Sequence, residues 1–121
     1  MPIDPRYDVD NVFARILRGE IPSNRVYEDV EFVAFRDIQP SAPTHIVLVP
    51  RGEPPTSTAT LGEADAGWLG RMVVMASRIA AAEGLDQGGY RLVVNCGDDA
   101  GQTVGHFHLH ILGGRPLGPV A

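Results

Sequence analysis

A single cysteine, Cys96, excludes any intrachain disulfide, so the fold must rest on its core. The same scarcity suits a reducing compartment, and the cytoplasm is the expected location. No apolar run approaches the roughly 20 residues that span a bilayer. The opening "MPIDPRYDVD" has no basic segment followed by an apolar one, so neither a membrane anchor nor a secretory leader is expected. Lys and Arg never gather into a block, and the formal net charge is −5, which excludes a polynucleotide as the expected partner. A small anion stays compatible, because backbone N–H groups and imidazoles bind phosphate whatever the overall charge. Repeats and low-complexity tracts are also missing. What is present is ordinary for one globular domain: 121 residues, 44% hydrophobic and 21% charged.

Residues 1–9 read as an extended arm, rich in proline and charge, with residues 10–121 as the single domain. In "DNVFARILRGEIP" the apolar positions Val12, Phe13, Ile16 and Leu17 have helical spacing, with Asp10 as expected N-cap and Gly19 and Pro22 as stops. "RVYEDVEFVAFRDI" reads as a hairpin carrying Val26, Val30, Phe32, Ala34 and Phe35, with its turn at residues 28–31. "THIVLVP" is a third strand between two turn-rich stretches. A long helix is expected over residues 60–84, opened by a Thr60/Glu63 capping box. Its stripe is Trp68, Leu69, Met72, Val73, Ala76, Ile79 and Ala80. "YRLVVN" and "VGHFHLHIL" supply two more strands, joined by the polar connection "CGDDAGQT". Five strands joined mostly by turns, with a short and a long helix, predict an α+β fold with an antiparallel sheet.

The chemistry is concentrated in "GHFHLHIL". Alternation puts His106, His108 and His110 on one face of a strand and Phe107, Leu109 and Ile111 on the other. The apolar face must meet the core, so the imidazole face is expected to front a cleft or solvent. One reading is a metal site, but His106 and His110 stand ~13 Å apart along an extended strand, so a zinc would need two of the row plus His45 or a carboxylate. The other reading is covalent phosphoryl or nucleotidyl transfer, in which the middle imidazole attacks phosphorus and its neighbours serve as hydrogen-bond and proton partners. The preceding loop, "NCGDDAGQT", offers backbone N–H groups for an oxyanion.

With these residues in view, the sequence resembles the histidine triad (HIT) family, whose alternating signature "HFHLHIL" matches in full. The resemblance extends from "DNVFARILRGEIPSNRVYED" through "FRDIQPSAPTHIVLVPR" to "GYRLVVNCGDDAGQTVGHFHLHILGGR". The "ILGGR" after the triad points to the Hint-like branch over the Fhit-like dinucleoside polyphosphate hydrolases. It implies a homodimeric enzyme that hydrolyses purine nucleoside 5′-phosphoramidates or related AMP-linked compounds, with no cofactor and no catalytic metal. By position, His108 matches the nucleophile, and His106, His110 and His45 match the supporting imidazoles. Asn95, Gln102, Thr103 and Val104 match the phosphate end. Asp37 matches the ribose-binding carboxylate, and Phe13, Ile16, Ile21, Phe35 and Ile38 match the base pocket. The long helix and "YRLVVN" match the dimer surface.

Two departures from the family pattern accompany this. Asn11 and Ala14 stand where many bacterial relatives carry zinc-binding cysteines, so no structural zinc is expected, and "GGRPLGPVA" lacks a Trp-containing tail. A nucleotide-binding module without catalysis is the alternative of a different class, and turnover separates the two.

Overall fold

The computed structural model describes residues 3–120. Asn11, not Asp10, starts helix α1 (Val12–Leu17): its side-chain oxygen accepts the Ala14 N–H at 2.9 Å. Asp10 is drawn one residue early into a turn, its own N–H held by the Asp8 carboxylate at 2.8 Å. The helix ends at Gly19, whose φ of +78° favours a residue without Cβ.

Strands β1 (Arg25–Glu28) and β2 (Phe32–Arg36) form the hairpin. Asp29 ties its turn by accepting the N–H groups of Glu31 and Phe32, both at 2.7 Å. Val30, read as part of the apolar run, is 97% exposed at the tip, because the turn lifts it off the sheet. β3 (Thr44–Pro50) follows. The long helix α2 (Ala66–Ala82) begins six residues later than expected. Two short 3-10 turns, Thr58–Thr60 and Glu63–Asp65, occupy the approach, and Thr60 belongs to a capping box with Ser57 instead of Glu63. Gly84 ends it at φ +79°. β4 (Tyr90–Val93) and β5 (Leu109–Gly113) complete the chain. None of these helices is long and apolar enough to cross a membrane.

The five strands make one antiparallel sheet in the order β1-β2-β3-β5-β4, as the α+β reading required. The last strand therefore enters between β3 and β4, and this insertion builds the site. One face of the sheet, with Phe32, Ala34, Ile46, Leu48, Leu109 and Ile111, packs on Met72, Ala76, Ile79 and Ala80 of α2. Trp68 sets its ring edge-on to Phe107, centroids 5.4 Å apart. Val73 is a correction: it lies at the margin of the helix stripe and is 45% exposed. The other face carries Val33, Phe35, Val47 and Val49 under Ile16, Phe13 and Leu17 of α1 and Ile21 just beyond it.

Candidate functional site

Side chains directly opposite in an antiparallel pair share a face. The register sets His45 opposite Leu112 and Val47 opposite His110, so His45 and His110 stand on the α1 face one diagonal step apart. Their rings meet, with Nε2 of His45 2.9 Å from Nδ1 of His110. The β5 ladder starts only at Leu109, so His106 and His108 precede the regular strand. Alternation predicts a row fronting a cleft or solvent, but His106 has no exposed surface and His108 only 7%, because α1 lies across them, and only His110 is partly exposed. Phe13 of that helix packs edge-on to His108 at 4.8 Å, to His106 at 6.2 Å and to Phe35 at 5.5 Å.

All four histidines of the chain thus converge, and their partners settle where each ring hydrogen sits. A ring nitrogen beside a carbonyl must donate, and one that receives a backbone N–H must accept. His106 donates from Nε2 to the Pro50 carbonyl at 2.8 Å, leaving Nδ1 to accept from the Tyr7 hydroxyl at 2.7 Å. His108 donates from Nδ1 to the His106 carbonyl at 2.7 Å, leaving the lone pair on Nε2. His45 accepts the Ser41 N–H on Nδ1 at 3.0 Å, so its Nε2–H donates to His110 Nδ1 and His110 carries its hydrogen on Nε2. Among the described residues every buried side-chain nitrogen or oxygen has a partner. The unpaired Nε2 atoms of His108 and His110 therefore lie where solvent or a ligand reaches them. One offers a lone pair and the other an N–H, on rings whose centroids are 5.1 Å apart.

Burial keeps all four rings neutral. Loss of hydration pushes His106 and His110 down to about 4, with neighbouring imidazoles adding to the effect in both. It also holds His108 and His45 below the ordinary imidazole value, against the pull of Asp37. Asp37 does two jobs. Its Oδ1 accepts the Gln39 N–H at 2.8 Å in the β2–β3 turn, and its Oδ2 lies 3.4 Å from His45 Nε2. Asp37, His45 and His110 are also the one group among the described residues able to present three metal-ligand atoms together. Only one member of the row takes part in it, and His45 Nε2 is already hydrogen-bonded to His110 Nδ1.

The remaining residues singled out in the sequence fall into three sets. Phe13, Ile16, Ile21 and Phe35 gather beneath and beside α1, whereas Ile38 is 91% exposed at the turn. Gln102 spends its amide on the chain: Oε1 accepts the Gly97 N–H and Nε2 donates to the carbonyls of Thr56 and Val104. Asn95 likewise donates to the Ala100 carbonyl at 2.8 Å, so both brace the loop. Beside the row, a cavity of about 540 Å³ is lined by Ile3, Asp4, Cys96, Gln102, Thr103 and Val104, but by none of the imidazoles. Asn11 and Ala14 serve α1 as cap and buried contact. Sequence reasoning missed Tyr7 and the Pro50 carbonyl, since no local pattern marks a contact between residues 99 positions apart.

An antiparallel α+β sheet with neutral histidines clustered on one face, the central one holding a free nitrogen, defines a class of protein built around an imidazole site. The chain belongs to the HIT family, whose HIT domain matches residues 18–117. It is 48% identical over 111 residues to the purine nucleoside phosphoramidase of Escherichia coli, covering 92% of each chain. Among solved structures it resembles a histidine triad protein from Clostridium difficile, with TM-score 0.87 and 39% identity over 96% of this chain and 100% of that one. A HIT family hydrolase from Legionella pneumophila matches with TM-score 0.83 and 42% identity, over 88% of this chain and 98% of the other.

Proposed function

We propose that this protein hydrolyses purine nucleoside 5′-phosphoramidates, or related AMP-linked compounds, through a covalent nucleotidyl intermediate on His108. The observation that carries the reading is the free Nε2 of His108, unprotonated at neutral pH and aimed by the Nδ1–H bond to the His106 carbonyl. In the first step Nε2 attacks phosphorus, the P–N bond breaks, and the departing nitrogen takes up a proton and leaves as an amine. In the second, water attacks phosphorus, loses a proton and releases the nucleoside monophosphate, returning the electron pair to Nε2. His110 serves the phosphoryl oxygens with its Nε2–H, and His45 holds His110 in that tautomer. His106 supplies the carbonyl that orients the nucleophile.

Asp37 takes the ribose hydroxyls, while Phe13, Ile16, Ile21, Phe35 and Ile38 receive the purine. Thr103, Val104, Asn95 and Gln102 shape the phosphate end, the last two through the loop they brace. The 48% identity to a named purine nucleoside phosphoramidase supports the substrate class. The protein works as a cytoplasmic homodimer and uses no metal or cofactor. Residues 10–121 are its catalytic domain, and residues 1–9 the arm that leads into it.

The test is an adenosine 5′-phosphoramidate bearing a fluorogenic amine, with and without chelator, on wild type and His108→Ala. Expected are a burst of amine, chelator-resistant turnover, a nucleotidyl adduct on His108 by mass spectrometry, and a loss of about 10³-fold or more in the variant. Wild-type protein that binds AMP without turnover would make the chain a binding module instead.

A further inference from the structure

The arm, residues 3–9, has no regular secondary structure, yet it is fastened along the site. Thr56 donates its hydroxyl to the Asp4 carbonyl at 3.0 Å, and Ile3 lies so close to Gly97 that a Cβ there would come within 3.2 Å of it. Tyr7 sets its ring 5.6 Å from that of His106, and its hydroxyl lies 2.7 Å from Nδ1 and 3.4 Å from the Gly52 carbonyl. Since His106 Nε2 donates to Pro50, Nδ1 is an acceptor, and Tyr7 is its partner among the described residues. Burial raises the phenol above its ordinary value, so the hydroxyl remains a donor throughout the neutral range.

We infer that Tyr7 is a positioning residue for the nucleophile, acting through His106. The reason lies in what holds residue 106. Strand pairing begins at Leu109, so the ladder does not fix His106. Its backbone is held by the Phe107 N–H to the Pro55 carbonyl at 2.9 Å, and its ring by Pro50 on one side and Tyr7 on the other. The His106 carbonyl is the group that receives the Nδ1–H of His108. With the hydroxyl removed, a buried nitrogen loses its partner, the ring turns or shifts to regain one, and the carbonyl that aims His108 moves with it.

The catalytic part of this inference rests on the proposed hydrolysis; the positional part does not. Tyr7→Phe keeps the ring against His106 and removes only the hydroxyl. Two readouts apply: phosphoramidate turnover, and by NMR the imidazole ¹⁵N signals of His106 and His108 with their ring N–H signals, Nε2–H in His106 and Nδ1–H in His108. Expected are a fall of about tenfold in kcat with KM nearly unchanged, and shifted signals for both rings. Unchanged ring signals overturn the inference, whatever happens to thermal stability. So does unchanged kcat in a protein whose wild type is active. If the wild type shows no turnover, the proposed function fails, and the ring signals alone decide whether Tyr7 positions His108.

Discussion

His106 is a titratable group with no exposed surface, held neutral by burial against the pull of the Pro50 carbonyl, its ring fixed by two hydrogen bonds. Its folded value, about 4, lies below the 6.5 of a free imidazole, as does that of His110. The unfolded chain therefore binds more protons through this interval. The stability from burying the neutral rings is complete above pH 6.5 and is lost progressively as pH falls towards 4. For His106 the shift corresponds to about 3 kcal/mol. Urea unfolding at pH 7.5 and pH 4.5 should show a clearly lower midpoint in acid, and equal midpoints would sink this reading. Turnover should hold at neutral pH and fall in acid, below the range of an ordinary imidazole, as His108 takes its proton on Nε2. The alternation of "HFHLHIL" announced the three imidazoles, and even which side faces the core. It could not tell which nitrogen of His106 or of His110 carries the hydrogen, because the groups that decide it, Tyr7 and the Pro50 carbonyl for one and His45 with Ser41 for the other, come from elsewhere in the chain.

β5 and the residues leading into it have two unlike faces, and both are needed. Phe107, 1% exposed, wedges against Trp68 of α2 and anchors the segment between two catalytic candidates. Phe107→Ala should cost about 3–5 kcal/mol by urea unfolding, since the cavity cannot close against a sheet. A smaller and separate effect belongs to the β1–β2 turn. Asp29→Ala removes the acceptor for two backbone N–H groups and for the Tyr27 hydroxyl, and should lower stability by about 1–2 kcal/mol without changing kcat. Strand patterns were legible wherever turns bounded them: "THIVLVP" is β3 residue for residue. Helix starts were less so. Asp10 and Thr60 both have capping chemistry, but Asn11 and the 3-10 turns before Ala66 satisfy the backbone first.

At the scale of the whole molecule, two features, on α2 and on β4, lack a partner among the described residues. Val73 and Val74 are 45% and 50% exposed, and β4 ends the sheet with an unpaired edge bearing half-exposed Tyr90. An open sheet edge and exposed aliphatic residues on a helix each favour pairing with a second copy. Sedimentation at micromolar concentration should give twice the monomer mass, and Val74→Glu should shift the protein towards monomer. Monomeric wild type would remove the dimer from the proposal.

The sequence by itself determined the α+β class, the strand order along the chain, the two-faced character of the histidine segment and, through that segment, the family. Each of these depends on periodicity or turn chemistry, which act over a few residues. Only the tertiary structure decided the rest. It placed β5 between β3 and β4, so that His45 meets His110 across 65 positions, and it folded the arm back so that Tyr7 meets His106 across 99. It also buried His106 and most of His108, which alternation alone would have left open. Such contacts depend on which strand lies beside which, and on a helix lying across the sheet, neither of which leaves a mark in any short stretch of residues.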